Sequence, residues 1–298
     1  MKQSYLIILL FLFSQFSGCR NKPDKPEHSA PRFRIKSLST NPSKPIQLKG
    51  LLKPGFNNFV IDRVPIDIIV PNGKVKGTIL VLPGWDFSRD QWCLNTTLCQ
   101  KAEEKGYCLV MPEMGLSVYS WNYYPETRPD WSMAPTGGWV IKNMLPRLHK
   151  KFGLFEHGCR NFLLGLSTGG RGVAIIALRT GTLFKAGSAL SGDFDQTLDH
   201  DDAVITGFYG SYYEFQERWE SVDNPSNAAE FLQTPLFLAH GIADQIVPVQ
   251  QTEEFYRTLR EFNPELPVRI DTVAGMGHDF IFWESELNNS FSFFEEYK

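Results

Sequence analysis

The stretch Gly165-Leu166-Ser167-Thr168-Gly169, followed by Gly170, sets a serine between glycines. The apolar run 161–166 precedes it and a segment of helical spacing follows. A serine hydroxyl is a weak nucleophile, so it attacks a carbonyl only when a base takes its proton and a third group holds that base in the right tautomer. Small residues on either side permit the tight strand-to-helix turn that exposes such a nucleophile, and the helix N-terminus puts positive potential beside it. The bare pattern also fits a glycine-rich structural turn; the strand before it and the helix after it favour the nucleophile at Ser167.

The partners should lie later in the chain, at strand ends. Asp244 stands in His240-Gly241-Ile242-Ala243-Asp244, after an apolar run and ahead of a helix, and His278 stands in Gly275-Met276-Gly277-His278-Asp279, after the last β-rich run. With only 6 histidines in the chain, one at this point is informative. His240 competes as the base but fits better as a hydrogen-bonding support for the acid loop. Asp193 also follows a strand and competes with Asp244, whereas Asp279 would have to fold back on its neighbour. The cluster Asp199-His200-Asp201-Asp202 could ligate a metal, yet no further ligand set accompanies it and a solvated acidic loop is the simpler reading, so no metal is expected there. Acyl transfer also needs N–H donors where negative charge develops. The backbone of Thr168 offers one, and the turn Leu82-Pro83-Gly84-Trp85-Asp86 offers a second at Trp85, with Asp86 in reserve.

Positioning these residues requires strands that end together. Short β-rich runs alternate with helical segments from about residue 46 onward, which predicts an α/β domain over 46–298 with a mostly parallel central sheet flanked by helices. Strands are expected at 60–70 (broken at Pro65), 78–82, 107–111, 161–166, 186–190, 235–239 and 268–273. Helices are expected at 91–104, 139–152, 170–179, 249–262 and from 280 to the end, with 194–233 as an excursion over the C-terminal edge of the sheet.

Of 298 residues, 42% are hydrophobic and 21% charged, which excludes a disordered or polytopic membrane chain. The net charge of −3, without a basic block, argues against a nucleic-acid partner. Aromatic residues reach 13%, and Tyr119, Trp121, Tyr123, Tyr124 and Trp131 crowd the long segment between the strand ending at Met111 and the helix from Trp139. Such a loop either walls a substrate site or packs on itself over the sheet edge, and both readings stand.

Lys2 precedes an apolar run, 5–13, which is too short to span a bilayer, and Phe16-Ser17-Gly18-Cys19 follows. The pattern resembles a bacterial lipoprotein signal peptide at 1–18 with Cys19 as the lipidated residue, although Phe16 replaces the usual leucine. Ordinary secretion with Cys19 incidental is the alternative. The proline-bearing segment 19–45 reads as a tether, so the expected location is extracytoplasmic, with the chain held on a bacterial membrane through a lipid anchor at Cys19. Cys93, Cys99, Cys108 and Cys159 remain; their spacing fits no zinc pattern, and buried free thiols are favoured over a disulfide.

Together, Leu82-Pro83-Gly84-Trp85, Gly165 to Gly170, Leu190-Ser191-Gly192-Asp193-Phe194, Trp219-Glu220 with Asn224-Pro225, His240-Gly241 with Asp244, and Gly277-His278-Asp279 resemble the esterase D-like family of α/β-hydrolases over about 75–298. The resemblance implies hydrolysis or transfer of acyl groups through a Ser167, Asp244, His278 triad without metal or cofactor. Two departures, Pro83 where many members carry histidine and Thr168 for a frequent methionine, leave the backbone donors in place and bear on substrate preference. The expectation is a serine esterase acting on small-molecule or carbohydrate esters, acetyl or feruloyl among them. A serine peptidase or lactone hydrolase of the same fold, or a non-catalytic glycan-binding lipoprotein, is the alternative.

Overall fold

The computed structural model describes residues 43–297 apart from 51 and 222. The expected signal peptide, Cys19 and the tether up to residue 42 lie outside the described residues.

Eight strands form one sheet: β1 (Gly55–Ile61), β2 (Val64–Val70), β3 (Gly77–Leu82), β4 (Tyr107–Pro112), β5 (Asn161–Leu166), β6 (Ala186–Leu190), β7 (Leu236–Gly241) and β8 (Val268–Val273). Their order is β1-β2-β4-β3-β5-β6-β7-β8; β2 pairs antiparallel with β1 and β4, and the remaining pairs are parallel. β3, β4, β5 and β6 are buried throughout, as continuous apolar runs between two helical layers should be. The helices are α1 (Gln91–Asn95), α2 (Leu98–Lys105), α3 (Gly137–Trp139), α4 (Leu145–Phe152), α5 (Thr168–Thr180), α6 (Ala203–Tyr209), α7 (Gln216–Trp219), α8 (Gln250–Phe262), α9 (Phe280–Ser285) and α10 (Leu287–Glu295). One face of the sheet packs on α4, α5 and α8, through Leu148, Val173, Ile176 and Phe255. The other packs on α1, α2, α9 and α10, through Trp92, Leu98, Phe282 and Phe291. No helix among the described residues is long and apolar enough to cross a membrane.

β3 lies between β4 and β5, so the chain leaves it to one side and later returns on the other. The crevice beyond the C-terminal ends of β3 and β5 is therefore the switch point at which ligands bind in such sheets. Leu82 pairs with Gly165, which puts the turn after β3 beside the residue after β5.

Several boundaries differ from the sequence reading, each for a local reason. The first hairpin turns at Asp62-Arg63, both with positive φ (50° and 69°), whereas Pro65 sits within β2 opposite Val60. A two-residue turn of this handedness normally carries Asn or Gly, and Asp-Arg does not announce it. The expected helix 91–104 breaks at Thr96-Thr97, where the Thr96 hydroxyl bonds back to the Trp92 carbonyl. The helix before β5 starts at Gly137 and passes through a π turn at Val140–Met144; Pro146 has no N–H to return to Lys142, so the ladder shifts there. The final helix is two, α9 and α10, divided at Glu286.

Cys93 and Cys99 form a disulfide with their Cα atoms 5.3 Å apart, while Cys108 and Cys159 are buried free thiols. The expectation of free thiols thus fails for one pair, because the break at Thr96-Thr97 folds α1 back on α2. Closing a loop this short restricts the unfolded chain by about 2 kcal/mol. Reduction should accordingly lower the melting temperature by about 5 °C; an unchanged melting curve in dithiothreitol would refute a stabilising bridge.

Candidate active site

Ser167 follows β5 with φ 55° and ψ −128°, a left-handed conformation strained for any residue with a Cβ. Close packing holds it there. A Cβ on Gly169 would stand 2.6 Å from the Pro83 carbonyl oxygen, and one on Gly84 would stand 3.2 Å from Ser167 Cβ. The Ser167 N–H donates to the Leu190 carbonyl (2.9 Å), and the Ser167 carbonyl accepts from Arg171 N–H (3.1 Å). The glycines that define the motif are therefore a steric requirement of the crossing between β3 and α5.

The loops after β7 and β8 bring the other two residues to this point. Ala243 N–H donates to the Met276 carbonyl (2.9 Å) and Ile242 N–H to the Val273 carbonyl (2.9 Å), so the loops that carry Asp244 and His278 are joined. His278 Nδ1 lies 2.6 Å from Asp244 Oδ2, and His278 Nε2 lies 2.9 Å from Ser167 Oγ. Asp244 Oδ1 accepts from the N–H groups of Ile246 (2.8 Å) and Val247 (2.9 Å). Burial alone would raise the Asp244 carboxyl; hydrogen bonds from His240, His278 and Val247 N–H outweigh it and hold the group well below the usual carboxylate range. An ionised Asp244 can only accept, so the imidazole proton sits on Nδ1 and Nε2 is free to take the serine proton.

His240 is fully buried and serves the acid loop. Its Nε2 faces the Val247 carbonyl (2.9 Å) and Asp244 Oδ2 (3.2 Å), and its Nδ1 faces Thr252 Oγ1 (2.7 Å). A carbonyl and a carboxylate both require a donor, so Nε2 carries the proton and Nδ1 accepts from Thr252. Asp193 does not reach His278: its Oδ2 pairs with Arg171 at 3.2 Å. Asp279 caps α9 through Ile281 and Phe282 N–H (both 3.0 Å), and Asp202 caps α6 through Val204 and Ile205 N–H (both 2.8 Å). His200 stacks on Tyr212 with ring centroids 3.5 Å apart.

Among the described residues, neither Trp85 N–H nor Thr168 N–H has a protein acceptor, whereas Asp86 N–H is occupied by the Gly115 carbonyl (3.0 Å). This removes Asp86 as a donor. The Thr168 hydroxyl, next to Ser167 in the chain, is buried and has no hydrogen-bond partner among the described residues.

The aromatic segment divides between the two roles considered for it. Tyr119 is fully buried and donates its hydroxyl to the Pro83 carbonyl (2.8 Å), so it cannot touch a substrate. Trp121 lies under Lys142 and Arg179, with their cationic groups 3.8 and 4.5 Å from its ring, which favours the self-packing reading for this residue. Tyr123 and Tyr124 pack on Phe208 and Tyr209 at 6.0 and 5.4 Å. Trp131 is buried, edge-on to Trp85 at 4.7 Å and with the Arg128 guanidinium 4.5 Å from its ring. The excursion 194–233 completes this cap: Val118, Ile205, Phe208, Tyr209 and Trp219 form a core of their own on which Trp85 and Tyr124 pack.

Arg171, one turn beyond Ser167, was not singled out in the sequence. It is fully buried, and its guanidinium donates to the carbonyls of Val118 (3.2 Å), Asp193 (3.2 Å) and Asp223 (2.6 Å), to Gln196 Oε1 (2.7 Å) and to Asp193 Oδ2 (3.2 Å). The signal was an arginine at the head of the apolar helix segment 173–178, where a charge has no place without buried acceptors.

Residues 153–297 match the prolyl oligopeptidase family. A Bacillus subtilis (strain 168) protein named "Putative esterase YitV" is 28% identical over 167 residues, covering 53% of this chain and 63% of that protein, so the match spans less than two thirds of the relative. Among solved structures, the fluorophosphonate-binding serine hydrolase FphF of Staphylococcus aureus has TM-score 0.63 at 19% identity, covering 81% of this chain and 99% of that one. An S-formylglutathione hydrolase from Agrobacterium tumefaciens has TM-score 0.64 at 16% identity, covering 85% and 99%.

Burial raises Asp193 to about 6, although Arg171 opposes the shift. The unfolded chain releases this proton near pH 3.9. The stability that the protonated form confers is complete below that value and is lost as pH rises toward 6. In urea titrations the stability of wild type relative to Asp193→Asn should therefore fall between pH 4 and 6.5, and a constant difference would contradict the shift. The strand order, the strained serine after β5 and the loops that bring His278 and Asp244 to it make this chain an α/β-hydrolase-fold protein.

Proposed function

We propose that the chain is a serine esterase that hydrolyses acyl esters through an acyl-enzyme. The observation that carries this reading is the continuous relay from Ser167 Oγ through His278 to Asp244, at 2.9 and 2.6 Å, beside two N–H groups without protein acceptors. Ser167 attacks the ester carbonyl while His278 Nε2 takes its proton, and the oxyanion forms against Trp85 and Thr168 N–H. His278 returns the proton to the leaving alcohol. Water then attacks the acyl-enzyme by the same route in reverse, and the carboxylic acid departs.

The esterase name of the Bacillus subtilis relative and the S-formylglutathione hydrolase name of the structural neighbour support the ester class, and acetyl or feruloyl esters of carbohydrates are the substrates assigned within it. A peptidase reading rests on the prolyl oligopeptidase match over 153–297. The lipoprotein signal at 1–18 with Cys19 supports an extracytoplasmic, membrane-anchored location, and the Cys93–Cys99 disulfide suits an oxidising compartment.

Assays with p-nitrophenyl acetate and butyrate, a feruloylated oligosaccharide and a dipeptide p-nitroanilide test the assignment. Ser167→Ala and His278→Ala should each lose ester turnover by at least about 10^3, and Asp244→Asn by about 10^4 through the wrong tautomer. Equal turnover by wild type and Ser167→Ala removes the mechanism, and faster cleavage of the anilide than of the esters moves the chain to the peptidases. For the anchor, Cys19→Ala should abolish incorporation of radioactive palmitate and release the protein from the membrane fraction; retained labelling contradicts lipidation at Cys19.

A further inference from the structure

We propose that Tyr119 is a positioning residue for the oxyanion donor at Trp85, acting through the Pro83 carbonyl; this rests on the serine esterase reading above. The turn after β3 has three backbone groups that set where Trp85 N–H points. Gly84 C=O accepts from Phe87 N–H (3.2 Å), which orients the Gly84–Trp85 peptide with its N–H directed away from that bond. Asp86 N–H is held by the Gly115 carbonyl (3.0 Å). The preceding peptide, Pro83–Gly84, has no backbone partner among the described residues at either its carbonyl or the Gly84 N–H; the carbonyl instead accepts the Tyr119 hydroxyl at 2.8 Å. That side chain comes from 36 residues further along the chain and is fully buried.

Tyr119 is itself held with unusual firmness. Its φ is 57°, a strained value for a tyrosine, and its N–H donates to Ser117 Oγ (3.1 Å), which donates to the Pro135 carbonyl (2.6 Å). The ring lies over Gly172 of α5, where a Cβ would come within 2.7 Å of it. The carbonyl of Val118 accepts from Arg171. Residues 118–119 are thus fastened to the nucleophile's own helix at 171–172, and the Tyr119 hydroxyl carries that reference to the opposite side of the crevice. The nucleophile and the oxyanion donor, on different strands, are registered to one another through this side chain. Desolvation raises the phenol well above its ordinary range, so it stays a donor throughout the working pH range.

Without the hydroxyl the Pro83 carbonyl is left buried and unpaired, and the turn is free to relax. A displacement of about 1 Å at an oriented donor costs up to about 10^2 in rate. Such a loss falls on the step in which charge develops and leaves ground-state binding alone. The test compares wild type, Ser167→Ala, Tyr119→Phe and a variant with 4-aminophenylalanine at position 119, on p-nitrophenyl acetate. Rates are normalised to the p-nitrophenol burst so that misfolded protein is not counted. Tyr119→Phe should lose about 10- to 100-fold in kcat with KM within two-fold, and bind phenylboronic acid, a tetrahedral mimic, more weakly by a similar factor. The aminophenylalanine variant, which restores a donor, should recover most of the loss. An unchanged kcat per titrated site, or a lowered melting temperature with unchanged kcat and boronate affinity, overturns the positioning role and leaves the esterase reading intact. Absence of Ser167-dependent turnover in wild type overturns both.

Discussion

The buried guanidinium of Arg171 is the constraint on which the rest of the architecture depends. Taking an arginine fully out of water costs several kcal/mol, and the cost is recovered only if every N–H finds an acceptor with good geometry. Here the acceptors come from three separate stretches: Val118 in the aromatic segment, Asp193 and Gln196 after β6, and Asp223 before β7. None of these stretches is a strand or a long helix. The charge obliges all three to converge one turn from the nucleophile, and the aromatic cap then closes over the point of convergence. Asp223 extends the fastening along α5, pairing with Arg179 at 2.7 Å and accepting Trp121 N–H at 2.9 Å. The cap is therefore attached to α5 at both ends of the helix.

Strain at the nucleophile follows from the same economy of space. Ser167, Ser191 and Tyr119 all hold positive φ, and all three stand at or above the C-terminal ends of the strands. Trp283 donates its ring N–H to Ser191 Oγ (3.1 Å) and stands edge-on to the His278 ring at 5.2 Å, so the strained turn after β6 also supports the base. Backbone conformations of this kind persist only where the surroundings over-determine them. Here the surroundings are the crossings of β3, β5 and β6 with α5, at which glycine carbonyls and Cα atoms pack too closely to admit side chains.

What could be read from the sequence is what depends on neighbours along the chain. Ser167, Asp244 ahead of α8 and His278 ahead of α9 each stand between a β-rich run and a helix, and local rules suffice to place them there. The strands from β3 to β6 emerged nearly at their true bounds because buried parallel strands are continuous apolar runs. The roles of Tyr119 and Trp121 stayed open for the opposite reason. Their composition is that of a ligand wall, but their partners, Pro83 for one and Lys142 with Arg179 for the other, lie far away in sequence. The Cys93–Cys99 bridge depended on a helix break at two threonines that helical spacing alone does not show. Arg171 was the clearest missed signal, since a charge ahead of an apolar helix implies buried acceptors even when their identity is unknown.

Two aspartates follow adjacent strands at the same edge of the sheet, and their surroundings decide between them. Asp244 receives N–H donors from Ile246, Val247, His240 and His278, and these hold it ionised against its burial. Asp193 has one cationic partner, shared with five other acceptors, and an oxygen with no partner, so burial prevails and raises the carboxyl to about 6. Only a carboxylate that stays charged remains a pure acceptor for His278 Nδ1–H and so fixes the tautomer of that ring. A carboxyl that takes up a proton near 6 would become a donor itself and release the ring. His240, although never in contact with the serine, therefore contributes to the choice of acid: its ring N–H is one of the donors that keep Asp244 an acceptor.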